Sequence, residues 1–282
     1  MKNEPKFQEQ HKVSQVYLKE FGFKKNGEWW LSVLKIGNKM TENVKISGFT
    51  IETNIFDLPF ENMESRRYYE NLFNTIENRY KTIIKNLKNQ KKIIEKDSDY
   101  LNHFVANILC RTNPTRFFIT NYLKDEQVRK KFINEITIFS EDKEHTEKVL
   151  KMFKSEYQLN LALGTVMNHF VHIFRNFEKI IIRECDGNGW LTTDSPVHID
   201  KQGHYEWLIP IEAEIYLPLS RDFCLFMYHP RSEITTNPLR NLKKNKINEV
   251  NFETFDRINK KITFDFNKYL IMNEETEPTK IR

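Results

Sequence analysis

The stretch YYENLFNTIENRYKTIIKNL, residues 68–87, decides most of the fold because its apolar residues recur every three or four positions. These apolar residues are Tyr69, Leu72, Phe73, Ile76, Tyr80, Ile83, Ile84 and Leu87. This spacing places them along one stripe of an α-helix, where they can face a core. A second stripe of this kind follows and consists of Leu101, Phe104, Val105 and Ile108. We therefore predict that the region from 61 to 176 is helical and contains at least four helices.

Both flanks of this helical region have the composition of strands. From 28 to 56 the chain is rich in Trp, Val, Ile and Thr and is broken at Gly37-Asn38 and at Ser47-Gly48, which predicts a β-ribbon. From 178 to 230 the runs IIIRE, WLTT, EAEIYLPLS and DFCLFMYH again favour strands, with a turn at DGNG. A last helix is predicted between 248 and 272.

The order of these regions indicates the fold class. We find no internal repeat and no linker rich in Gly, Ser or Pro, and 39% hydrophobic residues can fill a large core. The sequence therefore predicts a single α+β domain over 1–282, with a mainly antiparallel sheet packed against a helical layer. The ribbon from 28 to 56 could join that sheet or form a small separate lobe.

Composition also limits the cellular setting. No apolar run approaches the ~20 residues that cross a bilayer, and the start MKNEPKFQEQHK lacks the apolar segment of a signal peptide. The three cysteines show no CxxC spacing, so neither a disulfide framework nor a cysteine zinc site is indicated. We expect a cytoplasmic protein with no membrane partner.

The net charge of +5 favours a nucleic acid or another phosphate-bearing ligand as partner. The densest basic runs are KTIIKNLKNQKK, residues 81–92, and LRNLKKNK, residues 239–246. Solvated helix faces and loops explain both runs better than a nucleic-acid patch does, and an A+T-rich coding sequence also raises the lysine content. Charge alone therefore leaves the partner open.

The stretch WLTTDSPVH, residues 190–198, is the most specific local pattern. Pro196 restricts Ser195 to an extended backbone, so the carboxylate of Asp194 is held in a narrow range of directions at a strand end. This arrangement suits a catalytic carboxylate. It also suits an Asx turn, in which Asp194 only accepts hydrogen bonds from nearby backbone amides.

Two further patterns place charged residues together. Glu70 and Glu77 are seven residues apart, so their carboxylates share one face of a helix. Arg111 and Arg116 flank the helix-stopping pair Asn113-Pro114. The two arginines could clamp a phosphate or carboxylate bidentately, or they could pair with the glutamates in an internal salt network.

The chain resembles a known family in several of these motifs. The segments HKVSQVYLKEF, NTIEN, ILCRTNPTR, LTTDSPV and IYLPLSRDFCLFM occur in the order and approximate spacing of the bacterial and fungal family catalogued as domain of unknown function 4238. The resemblance covers nearly the entire chain. It implies a related fold and a shared polar site, and it singles out His11, Gln15, Tyr17, Glu77, Arg111, Arg116, Asp194, Pro196, Pro218 and Leu219.

The chain departs from the family pattern at two places. Lys12 and Ser14 stand where the family has Tyr and Pro, and Asn113 adds one residue between the two arginines of the Arg-Thr-Pro-x-x-Arg junction. The first departure affects the N-terminal motif that contains His11. The second changes the spacing of the two guanidinium groups.

Two classes of function are consistent with these residues. In the first class the protein is an enzyme whose site residues are His11, Gln15, Glu77, Arg111, Arg116 and Asp194. The histidine would transfer protons, the two carboxylates would act as bases or hold Mg²⁺ or Mn²⁺, and Gln15 and the arginines would bind substrate. In the second class the protein is a non-enzymatic binding or sensing module for an anionic ligand or partner.

Our hypothesis for the enzyme is a nuclease-like effector that hydrolyses phosphodiesters in phage defence or a toxin system. That biological setting rests on the genomes in which such orphan families occur, and no residue indicates it. The sequence contains no Gly-rich phosphate loop, HExxH or Gly-x-Ser-x-Gly motif that would indicate a familiar alternative.

Overall fold

The computed structural model describes residues 7–90, 93, 95–137, 147, 150–151, 157–200, 209–234, 236–244, 246–264 and 266–272. The helices in these residues are α1 (Gln15–Leu18), α2 (Met63–Arg66), α3 (Tyr68–Gln90), α4 (Glu95–Arg111), α5 (Asn113–Tyr122), α6 (Glu126–Thr137), α7 (Gln158–Arg175) and α8 (Phe252–Phe264). None of them is long and apolar enough to cross a membrane.

Twelve strands are present in the same described residues. They are β1 (Glu9–His11), β2 (Phe23–Lys25), β3 (Glu28–Lys35), β4 (Thr41–Lys45), β5 (Ile51–Thr53), β6 (Glu178–Glu184), β7 (Thr192–Thr193), β8 (His198–Asp200), β9 (Glu214–Pro218), β10 (Cys224–Tyr228), β11 (Ile247–Val250) and β12 (Tyr269–Met272). With helices and mostly antiparallel sheets in separate regions, the predicted α+β class is confirmed.

The helical layer is built around α4, which packs against both α3 and α7. The apolar stripe predicted for α3 faces the core, since Tyr80 and Phe104 stack with ring centroids 4.1 Å apart. Tyr17 of α1 lies against both rings and is fully buried. The same core cluster includes residues from the sheet, so the helices and the strands share one apolar interior.

The main sheet has the strand order β11-β6-β10-β9-β8, and all its pairs are antiparallel except β11 with β6. Its strands β9 and β10 are buried along their whole length. One face carries Leu217 and Leu225 into the helical core, and the other face packs on α8 through Phe255 and Ile258. Helices on both faces explain why these strands contain continuous apolar runs.

A second sheet settles the position of the ribbon from 28 to 56. Its strand β3 pairs with β4 and also with β2 and β12, and β12 pairs with β7. Gly37, with a φ of 82°, lies in the turn between β3 and β4. The third strand of the predicted ribbon, β5, pairs instead with β1 in a separate two-stranded sheet.

The C-terminal region differs from the helix predicted over 248–272. The helix α8 is limited to Phe252–Phe264 and has a strand on each side. The strand β12 lies between β3 and β7, and its residues Leu270, Ile271 and Met272 are all buried. A short apolar run buried on both faces has the same sequence pattern as a helix end, and the tertiary pairing decides between them.

Candidate functional site

Arg111 is the centre of a cluster of charged residues between α3, the α4–α5 junction and β1. Its side chain is 4% exposed. It donates from Nη1 to Glu77 Oε1 at 2.7 Å and from Nη2 to the carbonyl oxygen of His11. The guanidinium carbon lies 4.4 Å from the ring centroid of Phe73 and 5.4 Å from that of Phe56. These contacts fix Glu77 and the backbone of His11 relative to each other.

His11 lies at the end of β1, where the chain turns into α1. Its Nε2 is 3.2 Å from the carbonyl oxygen of Ser47 and 3.1 Å from Gln15 Nε2. Partial burial lowers the pKa of His11, and the positive charge of Arg111 lowers it further. The imidazole is therefore neutral at pH 7. When Nε2 carries the proton for the Ser47 carbonyl, Nδ1 is the proton acceptor of the ring.

The two glutamates on α3 have different environments although they share one helix face. Glu77 forms the ion pair with Arg111. Glu70 is half-buried, and its Oε2 has no hydrogen-bond partner among the described residues. Burial raises the pKa of Glu70, Arg111 opposes this effect and Glu77 adds to it. A pair of carboxylates with unequal environments is a common feature of acid–base sites.

Arg116 contributes a positive charge that forms no ion pair with a carboxylate among the described residues. Its Nη2 donates to the carbonyl oxygen of Ile55 at 3.3 Å, and its guanidinium carbon lies 5.1 Å from the ring centroid of Phe56. Its Nη1 is buried and has no hydrogen-bond partner in the described part of the chain. Burial lowers the pKa of Arg116 to about 10, so the group stays charged at pH 7.

A second group of buried polar residues supports this cluster, and the sequence did not indicate it. Asp57 lies 3.1 Å from Arg67 Nη1 and accepts from Gln10 Nε2 at 2.9 Å. Gln10 also accepts from the backbone N–H of Phe56 at 2.7 Å. These bonds hold Phe56 against the two arginines. Gln10 and Asp57 are 47 positions apart, so no local pattern connects them.

Asp194 has its hydrogen-bond partners in another region of the molecule. Its Oδ1 accepts from the backbone N–H of Lys268 at 3.1 Å, and its Oδ2 lies 3.4 Å from Asn267 Nδ2. Its own N–H donates to the carbonyl oxygen of Tyr269 at 3.0 Å. Burial raises the pKa of the Asp194 carboxyl, although the bonds to Lys268 and Tyr269 oppose this effect. Asp194 thus connects β7 to the turn before β12.

The structure therefore brings together five of the six site residues predicted from sequence. Direct contacts or a shared aromatic ring connect His11, Gln15, Glu77, Arg111 and Arg116. No hydrogen bond or ion pair of the described residues joins Asp194 to them. The turn at Asp194 differs from an Asx turn as well, because its main partner is 74 residues away.

The expected metal site of Glu77 and Asp194 has little geometric support. Glu77 is engaged by Arg111, and Asp194 by Lys268 and Asn267. Within the described residues, the group of three side chains close enough to share an ion is Glu184, Cys185 and Asp186. Glu184 already accepts from two backbone N–H groups of the DGNG turn, so a structural role explains its position.

Several residues singled out by the family resemblance belong to the core. The Tyr17 hydroxyl bonds with Thr192, and the Tyr80 hydroxyl donates to the carbonyl oxygen of Leu219. Leu219 and Tyr17 are both fully buried. These motif residues therefore join α1 and α3 to the two sheets rather than line the charged cluster.

Comparison with protein-family models identifies one family. The model described as a protein of unknown function, DUF4238, matches residues 9–271 of the 282-residue chain. The match includes every residue of the charged cluster and confirms the resemblance, so the chain belongs to this family. Comparisons with curated proteins and with solved structures found no match.

Proposed function

We propose that this member of the DUF4238 family is a nuclease-like hydrolase, and that the cluster around Arg111 binds and cleaves a phosphodiester of nucleic acid. The observation that carries the proposal is the set of buried charged atoms without a hydrogen-bond partner, namely Arg116 Nη1, Arg111 Nε and Glu70 Oε2. A phosphate group that enters the cluster would supply acceptors for the two guanidinium groups.

The energetic cost of such atoms supports a functional role. A buried polar atom without a partner costs about 1–3 kcal/mol, and the cost is higher for a charged group. Three such atoms in one cluster therefore destabilise the fold unless a ligand or water bonds to them. A bound anion would offset this cost, because it satisfies the donors and neutralises the charge of Arg116.

The residues can be given distinct roles in hydrolysis. Arg116 neutralises the phosphate, and neutral His11 accepts a proton from the attacking water. Glu70, whose pKa is raised by burial, donates a proton to the leaving oxygen. Arg111 and Glu77 position His11 and the segment at Phe56. The net charge of +5 favours a polyanionic substrate, and an effector in phage defence or a toxin system is the setting we propose.

The experiment is a cleavage assay with purified protein on single-stranded and double-stranded RNA and DNA, in EDTA, Mg²⁺ and Mn²⁺. We expect His11→Ala to lower the rate about 10²-fold or more, as expected for loss of a general base. Arg116→Met should weaken substrate binding. Lys124→Met is the matched control, because Lys124 is an exposed cation just beyond the end of α5.

Circular dichroism would confirm that each variant is folded. Equal cleavage by wild-type protein, His11→Ala and Arg116→Met would assign the activity to a contaminant and contradict the proposal. Cleavage only in the presence of Mg²⁺ or Mn²⁺ would show that the reaction requires a divalent cation.

A second function, a non-enzymatic sensor of an anionic ligand, is favoured by a different observation. Arg111 is already bound to Glu77 and stacked against Phe56 and Phe73, as in a structural network. A sensor would bind nucleic acid or a smaller anion without turnover. Arg116→Met would then lower the affinity, and His11→Ala would leave it unchanged.

A further inference from the structure

A cavity of about 190 Å³ lies at the other end of the helical layer. It is formed where α7 ends, β6 begins and α4 starts, and it is lined among others by Ser98, Arg175, Asn176, Glu178, Lys179 and Lys244. Most of its lining groups are polar. None of these residues belongs to the cluster around Arg111, so any ligand here would occupy a separate site.

Three positive charges surround this cavity, and each keeps donors that its present partner does not use. Arg175 donates from Nε to Asp99 at 3.0 Å, which leaves its two terminal nitrogens for another acceptor. Lys244 lies 2.7 Å from Glu178. The cations outnumber the two acidic partners by one, so the cavity has a net positive charge.

Lys179 is the most buried of the three cations, and it also caps the C-terminal end of α7. Its Nζ donates to the carbonyl oxygens of Phe177 at 2.9 Å and of Phe174 at 3.3 Å, at the end of α7. Neither partner carries a charge. Burial lowers the pKa of Lys179 to about 8, and the nearby Glu178 only partly opposes this effect. An ammonium group with two neutral acceptors retains one N–H for a ligand.

We propose that this cavity binds a phosphate group through Lys179, Arg175 and Lys244. The volume argues for a small anion, because pockets for drug-sized ligands measure about 300–1,000 Å³. A phosphate matches the cations, since guanidinium groups bind its oxygens bidentately and ammonium groups add point charges. Either inorganic phosphate or the phosphate end of a nucleotide has this chemistry.

Binding should be linked to protonation of Lys179. A bound anion favours the charged amine and raises its pKa, so the complex takes up a proton between pH 8 and the new value. Affinity should therefore be highest below pH 8 and fall as the pH rises. His103 contacts Asp99 rather than the cavity, and burial lowers its pKa, so it does not titrate in this range.

The test is isothermal titration calorimetry of the full chain from pH 7 to 9, with sulfate as a probe whose charge is constant over this range. Inorganic phosphate and a nucleoside monophosphate are titrated in parallel, and chloride at matched ionic strength controls for screening. Lys179→Met should weaken sulfate binding about tenfold or more, as expected when one charge-assisted hydrogen bond is lost.

Two further variants keep the test decisive if Lys179→Met does not fold. Lys244→Gln removes a half-exposed cation of the cavity and should also weaken binding. Lys243→Gln removes the adjacent exposed lysine, which does not line the cavity, and should have no effect.

The outcomes separate the two ligand sources. Nucleoside monophosphate affinity well above that of phosphate would assign a nucleotide, and equal affinities would assign the free anion. No saturable heat with any of the three anions, or equal loss in Lys244→Gln and Lys243→Gln, would overturn the proposal. These results do not depend on cleavage of nucleic acid at the Arg111 cluster.

Discussion

Two buried charged networks in this molecule differ in how completely their atoms are hydrogen-bonded. In the network around Glu214, that carboxylate accepts from Arg240 Nε at 3.1 Å, from Asn237 at 2.7 Å and from Tyr216 at 2.9 Å. Arg240 also donates to Ser232. None of these side chains has an unpaired buried atom, whereas the cluster around Arg111 has three.

This difference separates a structural network from a candidate site. A fully bonded buried ion pair needs nothing further, and it fixes β9 against the short 3-10 helix Pro238–Asn241 that contains Arg240. A network with unpaired charged atoms is incomplete until a ligand or water enters. We therefore attribute the Glu214 network to stability and treat the Arg111 cluster as the candidate site.

The largest change in stability is expected when the Glu214 network is disrupted. Glu214→Ala leaves Arg240 buried without a carboxylate, which should lower the free energy of unfolding by about 3–5 kcal/mol. Urea denaturation followed by circular dichroism measures this change. A loss below about 1 kcal/mol would mean that the network is not the structural element we describe, and the comparison would fail.

A smaller change of opposite sign, an increase in the free energy of unfolding, is expected when Glu70 of the Arg111 cluster is replaced by Gln. The pKa of Glu70 is raised in the folded state by burial, so its protonated form is favoured there. The free energy of unfolding of the wild type should then fall as the pH rises from the pKa of Glu70 in the unfolded chain through its higher pKa in the folded protein. Glu70→Gln removes this titration, so the variant should be more stable than wild type at pH 7 and equal to it at pH 4.

The measurement for Glu70 is the urea midpoint of both proteins from pH 4 to 8. Glu64→Gln is a suitable control, because Glu64 is an exposed carboxylate on α2. If the midpoints of wild type and Glu70→Gln run parallel across this range, Glu70 does not hold a proton in the folded state. Its role as the proton donor would then be ruled out.

The smallest change in stability is expected for Asp194→Asn, because Asp194 is bonded mainly to the backbone. Asp194→Asn keeps an oxygen for the N–H of Lys268, so stability should change by less than about 1 kcal/mol and cleavage should be retained. Asp194→Ala leaves that N–H without its acceptor and should cost about 1–3 kcal/mol. Loss of cleavage in the folded Asp194→Asn protein would return Asp194 to the functional residues.

Local periodicity made several features of the cluster predictable. Seven positions equal two helical turns, so Glu70 and Glu77 had to share a face of α3. Pro114 cannot continue α4, so Arg111 and Arg116 had to flank a helix junction. The α+β class followed from the change between helical and strand patterns. Each of these conclusions needs only a few neighbouring residues.

Contacts between distant segments were beyond such reasoning. Arg111 meets Glu77 across 34 positions and the carbonyl of His11 across 100, and the support of Phe56 by Gln10 and Asp57 has no sequence signal. The sequence pointed to charged residues that could meet, but it could not say that Glu70 rather than Glu77 is left with an unpaired oxygen. Burial in the assembled core produces that difference.

The amino-acid sequence by itself determined the class of fold, the helices and strands of the central regions, the family and most of the charged residues of the cluster. Only the tertiary structure decided that β12 is a strand, that the ribbon divides between two sheets and that Asp194 bonds to Lys268. The physical reason is that helix periodicity is encoded within a few turns of chain, whereas strand pairing and burial depend on residues brought together from across the whole molecule.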